Sequence, residues 1–283
     1  MQCPSLLAHV EIAAAGVGFT RQEAEAAVER SNCVRAKANG DYPPLFRMCA
    51  MQLRLVPFLA VLVPITFTPI GVQARPIVLE LFTSQGCSSC PPAEALLGEY
   101  AGHSDLLPLG FHVTYWDDLG WKDTYSFEGA TERQSNYAKR LGSGSFTPQL
   151  IIDGDRSLVG SRRSEIAAAV AQAREQARPS AGAHIVVTRH TGLVSVKVGA
   201  GQGSARVLLI GFDPEHRTAV ARGENGGRTI AQANGVRSLR DLGPWAGQPL
   251  EFSVAAPTGE DLAVILQSPN GRILGAARST PAA

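Results

Sequence analysis

From Arg75 onward the apolar and polar positions fall into two regimes. Ile77–Phe82 is a continuous apolar run broken by one acid, Glu80, as in a strand covered on both faces. Pro91–Tyr100 reads as a helix whose prolines sit in the first turn, where a missing N–H costs nothing. Leu106–Tyr115 reads as a second strand, with Leu109, Phe111, Val113 and Tyr115 on one face. Trp116–Asp123 is too polar and glycine-broken for a core element. Glu128–Leu141 is helix-like, and Gly142 is placed to stop it. Pro148 introduces the apolar run Leu150–Ile152, and Asp153-Gly154 is a hairpin-type turn back through Ser157–Gly160. Ser164–Arg178 closes this part as a helix ended by Pro179. The predicted order is β-α-β-α-β-β-α.

Beyond Pro179 the helical period disappears. Ala183–Arg189, Leu193–Gly199, Ala205–Phe212, Thr218–Arg222, Leu250–Val254 and Leu262–Gln267 are short β-type runs. Asp213-Pro214, Asn225-Gly226-Gly227 and Asn270-Gly271 are the expected turns. The expectation is an α/β domain over 75–180 followed by an antiparallel, sandwich-like all-β domain over 181–283.

The start of the chain has a different texture. Met51–Ala74 joins a basic beginning, an apolar stretch from Leu55 to Ile70, and a small-x-small end at Val72-Gln73-Ala74, which is the grammar of a cleaved export signal. Pro57, Pro64 and Pro69 interrupt it, and it is short for a membrane span. The natural start is then expected at Met48 or Met51, with residues 1–50 an upstream extension. The alternative is a real N-terminal region before an internal signal anchor. The reading is a periplasmic or secreted protein with no membrane span in its mature chain.

Charge and composition narrow the function classes. A net charge of +1 across 283 residues, without a Lys/Arg block, gives no reason to expect nucleic acid as a partner. Of five cysteines, Cys3, Cys33 and Cys49 precede the expected mature start, leaving only Cys87 and Cys90. One close pair and no spare thiol suits an oxidising compartment.

That pair lies in Gly86-Cys-Ser-Ser-Cys-Pro-Pro92, between a buried-type strand and a helix. Two cysteines three apart at such a junction are the layout of a dithiol/disulfide centre, with Cys87 expected at the positive end of the helix and Cys90 one turn in. Half a zinc site has the same spacing, and a structural staple is also compatible with it. No second cysteine pair, phosphate loop or G-x-S-x-G accompanies it.

The order strand, C-x-x-C, helix, then Thr147-Pro148 opening a hairpin and a final helix resembles the thioredoxin fold. More narrowly, Glu80–Ala93, His112–Asp117 with Leu119-Gly120-Trp121, and Phe146–Gln149 resemble a family of secreted bacterial thioredoxin-like proteins grouped as a domain of unknown function. Arg222–Asn225 and Gly227-Arg228 fit as well. The resemblance implies Cys87 as attacking thiol, Cys90 as resolving thiol, Pro148 as a cis-proline facing the dithiol and Thr147 as a backbone contact for substrate. It implies no resident cofactor or metal, and a partner carrying a thiol or disulfide. Gly86, Trp116 and Phe146 would border the substrate. The aromatic usual before the first cysteine in the thioredoxin pattern is here Gly86.

Glu80 is the further catalytic candidate. An acid in a two-faced apolar strand is costly unless paired or protonated, and thioredoxin-like enzymes use a buried acid to move protons for the resolving cysteine. The other reading is an ion pair with an arginine. His112, Tyr115, Trp116, Asp117 and Trp121 form an aromatic and polar cluster that can pack, floor a groove, or join the cysteines around Cu(I). His103, His184, His190 and His216 are expected in solvent, and Arg222, Glu224, Asn225 and Arg228 in a self-contained turn.

Overall fold

The computed structural model describes residues 75–176 and 183–279. The expected export signal at 51–74, residues 1–50 and the expected end of the last helix at Arg178 lie outside the described residues.

The architecture is mixed α/β: an eight-stranded mixed sheet and a separate three-stranded antiparallel sheet. Strand β1 (Ile77–Thr83) pairs in parallel with β2 (Leu106–His112) and antiparallel with β3 (Gln149–Ile152), which turns into β4 (Arg156–Val159). Helices α1 (Pro91–Ala101), α2 (Glu128–Leu141) and α3 (Arg163–Gln176) connect and cover them. The Thr147–Pro148 peptide is cis. Gly142 ends α2 in the left-handed conformation, as its position after Leu141 predicts. The second strand stops at His112, three residues earlier than the pattern suggests. A 3₁₀ turn at Thr114–Trp116 follows, leaving Tyr115 exposed.

The C-terminal segment divides its strands between the two sheets. Strands β5 (Ile185–Arg189), β6 (Leu193–Val198) and β9 (Leu250–Ala255) form the small sheet. Strands β7 (Ala205–Ala219), β8 (Thr229–Trp245), β10 (Asp261–Gln267) and β11 (Ile273–Arg278) extend the large one, in the order β11-β10-β7-β8-β2-β1-β3-β4. The seam is the parallel contact of β8 with β2 at Gly110 and Gly235. Asn234 reinforces it by donating through Nδ2 to the Pro108 carbonyl at 2.7 Å. Gly235 is required here, because a Cβ would lie 2.6 Å from His216 and 2.9 Å from Tyr125.

Two expectations fail in this segment. The strand expected at Thr218–Arg222 is only the end of β7, which stops at Ala219. β8, broken by Gly235, Gly243 and three charges, and the short β11 are not among the expected strands and take their pairing from neighbours rather than pattern. Asp213-Pro214 is not a turn but lies inside β7, between the pairs Asp213↔Gly235 and Glu215↔Ala233. Pro214, which has no N–H to donate, sits opposite Asn234, whose φ of 50° takes that residue out of regular strand geometry.

Alternation along the strands separates the cores. Val78 and Phe82 face α2 with Leu109, Phe111, Ile151, Ile210 and Phe212. Ile77, Leu79 and Leu81 point the other way, against Ala93, Leu96 and Leu97 of α1 and Ile166 and Val170 of α3. On β7 and β10, Val207, Leu209, Leu262 and Val264 pack with Val187, Val194, Val196 and Trp245. The β1–α1 junction that carries the cysteines is thus pinned between two cores.

Candidate functional site

Cys87 and Cys90 are joined in a disulfide with their Cα atoms 5.4 Å apart. Helix α1 begins at Pro91, so Cys90 is its N-cap and Cys87 lies in the preceding turn. This corrects the expectation that Cys87 opens the helix and Cys90 sits a turn inside. Pro91 and Pro92 have no N–H, and the Ala93 and Glu94 amides are both taken by the Cys90 carbonyl. The helix end therefore offers few free donors to a sulfur anion.

Hydroxyls supply the polar contacts instead. Thr147 Oγ1 lies 3.4 Å from Cys87 Sγ, and Ser89 Oγ lies 3.3 Å from it. Trp116 Nε1 donates to Thr147 Oγ1 at 2.9 Å, and that hydroxyl in turn donates toward the sulfur. Cys87, Thr147 and Trp116 are one connected unit. Pro148 is buried beside them, and Phe146 is half-buried, with its carbonyl held by Gln134. Gly86 leaves room for Trp116, whose Cβ and carbonyl lie within 3.7 Å of where a Gly86 Cβ would project.

Glu80 is elsewhere. Alternation along β1 turns it with Val78 and Phe82 toward α2, away from the face against which α1 packs. There it bonds Arg133 Nε and accepts from the Tyr137 hydroxyl, and Arg133 continues to Gln267 at 3.0 Å. Burial, joined by the Glu80 carboxylate and opposed by Arg133, pushes the Tyr137 hydroxyl well above its ordinary range. The arginine-paired alternative is the arrangement present, and Glu80 is corrected from a proton carrier for the cysteines to half of a buried ion pair. An adjoining groove of about 540 Å³ is lined by Arg133, Tyr137, Arg206, Asp241 and Gln267. Of its guanidinium groups, Arg133 is paired with Glu80 and Arg206 with Asp241, while Arg140 bonds the Gly154 carbonyl.

The buried acid next to the cysteines is Glu94, which the sequence pattern offered only as one more polar residue in α1. Its amide bonds the Cys90 carbonyl at 3.1 Å, and its carboxyl is 3% exposed. Gln232 of β8 donates to its Oε1 at 3.1 Å, while Oε2 has no hydrogen-bond partner. Burial raises the Glu94 pKa above the ordinary carboxyl value, against the opposing pull of His112. The Gln232 amide also lies 3.1 Å from His112 Nε2, and Asp123 Oδ2 lies 2.7 Å from His112 Nδ1. Burial alone would lower His112, but the Asp123 carboxylate outweighs it and the pKa is raised. Asp123 is held below its usual range despite its own burial, by His112 and by the amides of Gln85 and Tyr125.

This polar chain grips the front of the cysteine loop too. Gln85, two residues before Cys87, bonds Asp123 through its amide and Gln232 through its side chain. Trp121 Nε1 donates to Gln85 Oε1 at 3.0 Å. His216, expected in solvent, is instead half-buried, stacked on Tyr125 and bonded to Gln232. Burial and the neighbouring His112 push it down to about 4. Asp117, through its carboxylate, caps the loop at Asp123 and Ser126. Among the described residues no three His, Cys, Asp or Glu side chains gather as a metal site.

The Val220–Arg228 hairpin tip is also not self-contained. Asn225 is fully buried and donates through Nδ2 to the carbonyls of Gln85 (3.0 Å) and Cys87 (2.9 Å). Glu224 Oε2 accepts the Ser88 amide at 3.0 Å. Local sequence could show the turn, but only the β7–β8 pairing shows where it lands.

The chain matches, over residues 78–267, the sequence pattern of the family described as protein of unknown function (DUF1223). It belongs to this family. A crystal structure of a protein from Agrobacterium tumefaciens is similar to this DUF1223 chain at 30% identity, with a TM-score of 0.64, covering 73% of this chain and 95% of that one. HBP35 of Porphyromonas gingivalis is similar in fold, with 12% identity and a TM-score of 0.50 over 74% of this chain and 78% of its own. No curated protein matches. Among the described residues of this DUF1223 protein, no helix is long and apolar enough to cross a membrane.

Proposed function

We propose that this DUF1223 protein is an exported thiol–disulfide oxidoreductase of thioredoxin type, with Cys87 as the attacked and attacking sulfur. The observation that carries the reading is the contact of Thr147, from the cis Thr147–Pro148 segment, with Cys87 Sγ. A strand–disulfide–helix unit faced by a cis-proline loop is the arrangement that lets an extended substrate lie beside a reactive sulfur.

The chemistry follows from the residues present. A partner thiolate attacks Cys87 Sγ, a new S–S bond forms, and the Cys87–Cys90 bond breaks with its electron pair on Cys90. Cys90 is buried, so its thiolate needs a proton at once. In this reading the proton comes from Glu94, one helical turn on and favoured in its neutral form by burial. A second thiol then releases the partner as a disulfide, leaving two cysteine thiols. In reverse, the Thr147 and Ser89 hydroxyls stabilise the Cys87 thiolate.

The second reading, a structural disulfide on a binding or envelope-assembly module, draws support from the burial of both sulfurs. Trapping separates them. A Cys90→Ala protein, exported in its own host, is expected to hold partners in mixed disulfides on Cys87 that reducing agent releases. Absence of any Cys87 adduct would remove the exchange reading. Among the described residues, no third His, Cys, Asp or Glu joins the two cysteines as the ligand set a copper-delivery role needs.

A further inference from the structure

The sulfurs are shielded, Cys87 being 0% and Cys90 1% exposed, while Ser88 and Ser89 between them are open to solvent. The Ser88 amide, which lies between the cysteines, is occupied by Glu224, and the Cys87 carbonyl is occupied by Asn225. Both residues come from the β7–β8 tip, more than a hundred residues away in sequence. The tip is stiff in itself: Gly226 and Gly227 amides bond Gly223 and Val220, and Arg228 bonds Asn225 through both its amide and its side chain. Glu224 has no ion-pair partner within 4 Å among the described residues, and the groups that answer its charge are the Ser88 amide and the Ser88 hydroxyl. An exposed carboxylate is therefore held on the backbone between the two cysteines.

We infer that Glu224 is a specificity-determining residue of the dithiol site: it latches the hairpin tip over Cys87 and selects against attacking thiols that carry extra negative charge. Asn225 is its positioning partner, fixing the Cys87 carbonyl while the latch opens. The inference deepens the exchange reading and rests on Cys87 being the attacked sulfur. An attacking thiolate reaches Cys87 along a path on which Glu224 repels it, and a second negative charge on the attacker adds to that repulsion. The favoured partner is thus a thiol whose surroundings are neutral or basic.

The test uses the oxidised protein and three small thiols: cysteamine, 2-mercaptoethanol and 2-mercaptoethanesulfonate. As thiolates they carry net charges of about 0, −1 and −2 at neutral pH. Initial rates of disulfide loss, expressed per thiolate, are read by acid quench, alkylation and mass spectrometry. The native protein is expected to rank them cysteamine first and the sulfonate last. Glu224→Gln keeps an acceptor for Ser88 but loses the charge, and is expected to speed the sulfonate about threefold or more while barely moving cysteamine. Glu224→Ala also loses the acceptor and is expected to speed all three beyond the Gln variant.

Unchanged ratios among the thiols in Glu224→Gln would overturn the charge selection. A Glu224→Ala protein no faster than native would overturn the latch. Either result leaves the exchange reading intact. Resistance of every protein to every thiol would sink both.

Discussion

Asn225→Ala tests whether the C-terminal hairpin holds the dithiol loop in place. The native side chain is fully buried, donates at 2.9 and 3.0 Å to the Cys87 and Gln85 carbonyls, and accepts from Arg228 Nη1 at 3.1 Å. Truncation to a methyl leaves two carbonyls without those bonds in a site closed to bulk water. Each broken bond with a buried partner left behind costs about 1–2 kcal/mol, so the variant is expected to lose about 2–4 kcal/mol. For a folded part of this size each kcal/mol shifts Tm by about 2–4 °C, which predicts a fall of roughly 4–16 °C. Urea unfolding of the oxidised proteins, with unchanged slope, reads the difference directly. The loosened loop is also expected to be reduced faster by dithiothreitol. A loss below about 0.5 kcal/mol with an unchanged reduction rate would refute the claim that this contact positions the cysteines.

Other residues give independent checks. Glu80→Gln leaves the buried Arg133 guanidinium without its counter-charge and is expected to cost about 3 kcal/mol in urea unfolding. It is expected to leave the exchange rate and its pH profile unchanged, and a flattened profile would return Glu80 to the mechanism. Glu94→Gln is expected to fold but to slow release of Cys90 about tenfold or more, and to flatten the pH profile of exchange. An unchanged profile would remove Glu94 from proton transfer. His216, held at about 4 in the fold against an ordinary 6.5, makes the unfolded chain the better proton binder over that interval. Stability from this group is therefore fully present above about pH 6.5 and is lost as pH falls toward 4. A His216→Gln protein is expected to lose less stability over that range in urea titrations, and an identical acid response would contradict the assignment.

Much of the first half of the fold was legible because its elements follow the two simple periods. Ile77–Phe82, α1 and α2 fall where alternation, prolines and Gly142 put them, and Thr147-Pro148 marks the strand start it introduces. The dithiol loop was legible for the same reason, as a short motif between two clear elements. The rest depended on contacts that no local pattern encodes. Glu80 looked like the functional acid because it interrupts an apolar run, yet parity along β1 aims it at Arg133. Glu94 looked ordinary, and became the acid of the site only because β8 brings Gln232 over α1. β8 itself was hidden by its polar and glycine content, since it is held by pairing with the neighbouring backbone of β7 and β2. With β8 unseen, the hairpin tip had no address, so Glu224 and Asn225 read as a turn rather than as part of the loop they grip.

The reduction potential of the Cys87–Cys90 couple tests the central claim most directly. Equilibration of the folded protein against a thiol–disulfide buffer of known potential, read by alkylation and mass spectrometry, gives the value at pH 7. An exchanging dithiol is expected to lie between about −120 and −270 mV, among known redox carriers. A value below about −300 mV would mark the pair as a structural staple and contradict the account.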